Sequence, residues 1–219
     1  MNKTEKLQLI RDTGVIAIMR AKSSDQLMAA ADAIRAGGVR VIEVTMTTPG
    51  ALDLIETAAA RFGDDVLFGA GSVLDPETAR QAILSGAGFV VAPTLKSATI
   101  QLCARYSVPV MPGCLTPTEI LTAWEQGADM IKVFPTDFGG PGYIKAVKAP
   151  LPQVELIPVG GVTLESTPAF FRAGVSAVGV GSSLINQSLL DEGNMEALTK
   201  RAAAFIEAAN KGRASTKLT

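Results

Sequence analysis

The chain has 219 residues, a formal net charge of −1, 19 % charged and 47 % hydrophobic residues, and no histidine. That length can bury roughly 70 to 75 % of the unfolded surface in one core, and the missing imidazole excludes Ser-His-Asp triads, imidazole acid–base catalysis and His-ligated metals. A near-neutral balance with a pI of 5.6 gives no electrostatic footprint for nucleic acid or for an anionic membrane.

Residues 4–12 read as a short helix ahead of the first strand, placed to close a barrel floor. Strands are expected to start near Gly14, Val39, Val66, Gly88, Val108, Asp129, Glu155 and Ser176, about 23 residues apart, the spacing of strand–helix–strand crossovers. Four helix-to-strand junctions share one form, a helix ending in Gly before an apolar run: Arg35-Ala36-Gly37-Gly38, Ser85-Gly86-Ala87-Gly88, Gln126-Gly127-Ala128-Asp129 and Arg172-Ala173-Gly174. Gly serves there as a left-handed helix cap. Asp75-Pro76-Glu77 and Thr116-Pro117-Thr118-Glu119 carry helix-start signals. In the last helix Met195, Leu198, Ala202, Phe205, Ile206 and Ala209 recur at helical spacing.

These eight units predict an α/β chain folded as a (β/α)8 TIM barrel over residues 1–210, with a doubly wound open sheet as the alternative architecture. Residues 211–219, basic and without aromatics, read as a flexible tail. No apolar run reaches the roughly 18 residues of a membrane span, and Asn2-Lys3-Thr4-Glu5-Lys6 leads into no signal-peptide core, so a cytoplasmic protein is expected. Cys103 and Cys114 define neither a disulfide scaffold nor a zinc site.

Chemistry concentrates at two charges inside apolar runs. Lys132 lies within Met130-Ile131-Lys132-Val133-Phe134, and Glu43 interrupts Val39-Arg40-Val41-Ile42-Glu43-Val44-Thr45. An ammonium in strand-like sequence is costly to bury unless it is paired or loses its proton, and a neutral lysine amine attacks carbonyls. Strand alternation puts Val41, Glu43 and Thr45 on one face, Met130, Lys132 and Phe134 on another, and Ile16, Ile18 and Arg20 on a third, so Glu43, Lys132 and Arg20 can converge in a barrel mouth. A purely structural buried ion pair uses the same residues.

Glycines mark a second site. Gly160-Gly161 follow the seventh expected strand and Gly179-Val180-Gly181-Ser182 the eighth, the two loops that frequently bind phosphate in this fold. The predicted phosphate residues are Gly160, Gly161, Gly181 and Ser182, with Thr136 to Gly142 as a mobile flap.

In chain order, Val41-Ile42-Glu43-Val44-Thr45, Gly69-Ala70-Gly71-Ser72-Val73-Leu74, Met111-Pro112-Gly113-Cys114, Ile131-Lys132-Val133-Phe134-Pro135 and Val159-Gly160-Gly161-Val162 resemble the class I 2-keto-3-deoxy-6-phosphogluconate aldolase family. This family includes 4-hydroxy-2-oxoglutarate and 6-phosphogalactonate aldolases. The resemblance implies a Schiff base on Lys132, proton shuttling by Glu43, and binding of a keto acid or phospho-sugar acid without metal or cofactor. It places Arg20 and Ser72 on the pyruvate carboxylate, Pro93 and Phe134 in the pocket wall, and the chain in a homotrimer. The family's usual threonine is matched by Ser72, and a frequent arginine is replaced by Thr47, which leaves the anion role to Arg20. Val159 before the glycine pair resembles the galactonate type rather than the gluconate type. A phosphate-binding barrel isomerase or epimerase and a non-catalytic keto-acid sensor are the alternatives, but neither requires an imine-forming lysine.

Overall fold

In the computed structural model, which describes residues 1–216, the four glycine junctions turn through left-handed backbone at Gly38 (φ +93°), Gly86 (+92°), Gly127 (+88°) and Gly174 (+93°). A side chain strains this conformation, and Gly adopts it freely. Each turn sends the chain directly from a helix into the next strand.

Nine strand segments lie among the described residues: β1 Val15–Met19, β2 Val41–Thr45, β3 Leu67–Gly71, β4 Val90–Val91, β5 Val110–Met111, β6 Gly113–Cys114, β7 Ile131–Val133, β8 Leu156–Pro158 and β9 Val178–Val180. All seven ladders are parallel. The hydrogen-bonded orders are β5-β4-β3-β2-β1-β9 and β6-β7-β8. β5 and β6 are one barrel strand interrupted at Pro112, which has no N–H to give a ladder, while its carbonyl still accepts the Lys132 N–H at 3.0 Å. A bridge between Val159 and Gly179 joins the other ends. The two sheets therefore close into a (β/α)8 barrel.

Closure sorts the core into two bodies. Inside the barrel lie Ile16, Val41, Leu67, Phe89, Met130 and Ile157, with Ile10 and Leu7 of helix α1 (Lys3–Thr13) packed beneath them. The predicted floor helix is this one, started by a capping box between Asn2 and Glu5. Outside, alternate strand residues such as Ile42, Val44, Ile131 and Val133 meet the helices. Helix α4 (Pro76–Leu84) starts on Asp75, which accepts the Thr78 N–H at 2.6 Å, and α6 (Pro117–Glu125) on a Thr116–Glu119 capping box.

The C-terminal helix α10 (Met195–Thr216) runs further than the sequence suggested. Residues 211–216 were expected as tail but form its end. Arg213 donates to the Asp12 carbonyl at 2.9 Å and to that of Arg11, and its guanidinium lies 4.8 Å from the Phe171 ring centroid. Residues 217–219 of the expected tail lie outside the described residues. No described helix is long and apolar enough to cross a membrane.

Inside the barrel, size is balanced residue against residue: a Cβ at Gly69 would overlap the fully buried Phe89 ring. Gly69→Ala should therefore cost about 1 to 3 kcal/mol by overpacking. Combined with Phe89→Leu, the loss should be smaller than the sum of the two single losses, measured by urea unfolding. Strict additivity would show that the two positions do not share this space.

Candidate active site

Alternation on β7 turns Lys132 inward in phase with the buried Met130, and alternation on β2 does the same for Glu43 above Val41. Lys132 is 6 % and Glu43 2 % exposed. Glu43 lies in register with Ile18 on one side and Gly69 on the other, while Lys132 lies between Gly113 and Ile157. Gly71 makes the room: a Cβ there would overlap the Glu43 carboxyl. The two charges thus share the barrel interior near its mouth.

Burial raises the Glu43 pKa, and the attraction of Lys132 and then of Arg20 offsets that rise only in part. Among the described residues the Glu43 carboxyl forms no direct ion pair, so its coupling to Lys132 acts through space. The Lys132 Nζ lies 5.1 Å from the Phe134 ring centroid, where the ring face attracts a cation.

Phe134 also divides the mouth. On one side a cavity of about 200 Å³ is lined by Arg20, Phe134, Gly160, Gly161, Gly181 and Ser182, which brings six of the sequence-predicted residues together. On the other side a cavity of about 400 Å³ is bounded by Phe134, Pro93 and Glu119. Ser72 lines neither. It follows β3 with a left-handed φ of +58°, a conformation uncommon outside glycine. A larger cleft of about 650 Å³ lies against α10, and Lys132 and Glu43, both buried, line none of these three cavities.

The glycine pair is shaped by close packing and a buried hydroxyl. A Cβ at Gly160 would come within 2.7 Å of the Asp137 carboxylate, and both Gly160 (φ +93°) and Gly161 (φ +69°) are left-handed. Thr136 is fully buried, and its hydroxyl donates toward the carbonyls of Val159 (2.7 Å) and Gly160 (3.0 Å). The segment expected as a mobile flap is thus pinned at Thr136 and enters helix α7 (Gly140–Lys148) after four residues. Sequence reasoning missed this role of Thr136. Its only signal was a lone hydroxyl after a strand, with a partner 23 residues away.

Thr47, which stands where the family often has arginine, joins a hydroxyl cluster with Thr45 at 3.0 Å, and Thr45 lies 3.4 Å from Thr48. The Tyr143 hydroxyl donates to the Leu115 carbonyl, and burial pushes its pKa up. Burial likewise pushes the Cys103 and Cys114 thiols up to about 12, so neither is a thiolate near neutrality.

The Glu43 shift has a stability consequence. A raised folded value means that the folded chain holds this proton more tightly than the unfolded chain does. The resulting stabilisation is full below the usual carboxylate range and is lost as pH rises through the raised value. Glu43→Gln removes that loss, so its stability relative to the parent should climb as pH rises above the usual carboxylate range in denaturant titrations. A difference that stays flat over this rise would show that Glu43 ionises as easily in the folded chain as in the unfolded one.

A family model described as KDPG and KHG aldolase matches residues 7–201. The chain is 36 % identical over 195 residues to the 2-dehydro-3-deoxy-6-phosphogalactonate aldolase of Escherichia coli K12, covering 89 % of this chain and 93 % of that one. It is 30 % identical over 212 residues to the KHG/KDPG aldolase of the same organism, covering 94 % and 97 %. Among solved structures, KDPG aldolase from Legionella pneumophila, with pyruvate captured as a covalent carbinolamine intermediate, superposes with a TM-score of 0.85 at 27 % identity, covering 91 % of this chain and 97 % of that one. The chain belongs to the KDPG and KHG aldolase family.

Proposed function

We propose that this protein is a Schiff-base aldolase that cleaves a 2-keto-3-deoxy-6-phospho-sugar acid to pyruvate and glyceraldehyde 3-phosphate, and that also accepts 4-hydroxy-2-oxoglutarate. One observation carries the reading: a buried lysine and a buried carboxyl with a raised pKa share the barrel interior below a cavity rimmed by Arg20 and two glycine loops. The carbinolamine held by the Legionella neighbour supports it.

The Lys132 amine adds to the C2 carbonyl, and loss of water from the carbinolamine gives a protonated imine. Glu43 takes the proton of the C4 hydroxyl, the C3–C4 bond breaks, and its electron pair moves into the imine to give an enamine and the free aldehyde. Glu43 then returns the proton to C3, and hydrolysis of the imine releases pyruvate. A carboxyl with a raised pKa suits both directions of transfer. Arg20 serves the substrate carboxylate with its planar fork. Pro93, Phe134 and Ser72 retain the roles implied by resemblance, although Ser72 stands off the cavity walls.

At the far end of the substrate, the backbone N–H groups of Gly161, Ser182 and Ser183 have no partner among the described residues and are open to a phosphate. Val159 sits at the cavity edge against Gly179. Its methyl groups favour the galactonate epimer in this reading. A homotrimer is part of this reading on the family resemblance, and the two buried free thiols support a cytoplasmic enzyme.

Borohydride added with pyruvate should attach one reduced pyruvyl group to Lys132, read by peptide mass mapping; labelling at another residue, or none, would end the aldolase reading. Glu43→Gln should lower turnover by roughly 10² to 10⁴ while leaving Lys132 trappable. Ser182→Ala keeps the backbone N–H but removes the hydroxyl, the loop's added side-chain donor to the phosphate, so kcat/KM for the 6-phosphorylated substrate should fall by roughly 10- to 150-fold while 4-hydroxy-2-oxoglutarate is spared. Val159→Thr should shift the galactonate-to-gluconate ratio of kcat/KM toward gluconate, and an unchanged ratio would remove Val159 as the selector.

A further inference from the structure

The loop after β9 is held from behind by a side chain that never reaches the mouth. Arg201, exposed on α10, donates its Nε–H to the Ser183 carbonyl at 2.8 Å. The Ser183 carbonyl belongs to the same peptide group as the Leu184 N–H, which donates to the Gly181 carbonyl at 2.9 Å. That carbonyl in turn shares its peptide group with the Ser182 N–H, which has no acceptor among the described residues, and Ser182 lines the cavity. A second donor, the Ile185 N–H, reaches the same Gly181 carbonyl at 2.8 Å. One guanidinium therefore stands at the head of an unbroken chain of peptide dipoles that ends on a donor at the mouth.

Peptide groups linked in this way polarise one another. A cation on the first carbonyl strengthens each later N–H as a donor, and the gain falls on whatever accepts the last one. We propose that Arg201 is a positioning residue for the phosphate end of the substrate: by holding the Ser183 carbonyl it fixes the Gly181–Ser183 turn and strengthens the Ser182 N–H that meets the phosphate. This rests on the phosphate-loop reading above. Arg201 touches neither Lys132 nor Glu43, borders the solvent cleft of about 650 Å³ and fills no core space, so its removal opens no buried cavity. The chain of dipoles also requires a donor of the right reach. Lysine places a charge near the carbonyl but lacks the rigid planar fork of arginine, so it should restore only part of the effect.

The test compares Arg201→Met, which keeps the aliphatic stem, with Arg201→Lys on two substrates that differ in the phosphate. For Arg201→Met the KM of the 6-phosphorylated keto-deoxy sugar acid should rise about 3- to 30-fold, with kcat nearly unchanged and 4-hydroxy-2-oxoglutarate unaffected. Competitive inhibition by inorganic phosphate should weaken in parallel, and Arg201→Lys should fall between Met and the parent. An equal loss on both substrates, or no loss on either, overturns the proposal, and if the Met variant does not fold the same comparison of substrates is made on the Lys variant. The parent enzyme separates the two readings. If it shows no preference for the phosphorylated substrate, the phosphate loop itself is wrong; if the preference is present and survives Arg201→Met, only the role of Arg201 is wrong.

Discussion

Everything in the mouth of this barrel depends on one electrostatic arrangement: an ammonium and a carboxyl buried in the same apolar interior without direct contact. Removing an ion from water costs several kcal/mol, and a partner offsets this only when it is close and well hydrogen-bonded. At an effective dielectric constant of about 20, two unit charges about 4 Å apart attract by about 4 kcal/mol, and the attraction falls as they separate. The upward shift at Glu43 shows which effect wins there, because desolvation outweighs the pull of both Lys132 and Arg20. A tight salt bridge would quench both groups. Separation leaves the carboxyl ready to exchange a proton.

Packing shapes the space around these two groups. The lower barrel interior is filled by large side chains, and glycines toward the mouth leave room for neighbouring groups. Gly71 clears space for the Glu43 carboxyl, Gly113 lets its strand approach the Pro93 carbonyl, and Gly179 accepts the Val159 side chain. The break at Pro112 belongs to the same pattern. It allows the fifth barrel strand to pair with β4 on one side of the proline and with β7 on the other, which seats Lys132 beside Gly113. Phe134 then separates the two cavities with the ring that also faces the Lys132 ammonium.

Short-range regularities make much of this visible in the sequence. Period-two alternation groups Glu43 with Val41 and Lys132 with Met130, and carries the phase of Ile16 and Ile18 to Arg20 just past the end of β1. Glycine at the helix ends and the Asp75 and Thr116 caps set the element boundaries through local backbone chemistry. What escapes such reading depends on partners distant in sequence. Residues 211–216 look like a tail by composition, yet Arg213 finds carbonyls 201 and 202 positions away. The loop from Thr136 looks mobile by its glycines, yet a hydroxyl 23 residues from its acceptor pins it. Ser72 matches a family motif by order, and its left-handed backbone after β3 and its place away from both cavity walls are features that no spacing reveals.

The two ends of the site are built on different principles, and this bears on how such a fold can change substrate. Lys132 and Glu43 sit within strands, where register, burial and neighbouring glycines constrain them together, so neither can move without repacking the interior. The glycine loops lie at the rim and are oriented by tethers from other elements: Thr136 holds the Val159–Gly160 carbonyls, and Arg201 holds that of Ser183 from the outer face of α10. A change in a tether alters the direction and strength of backbone donors while the buried charges keep their surroundings. Under the proposed function, recognition of the phosphate and of the sugar hydroxyls can therefore vary through residues on helices and loops, and carbon–carbon bond cleavage stays with the strands.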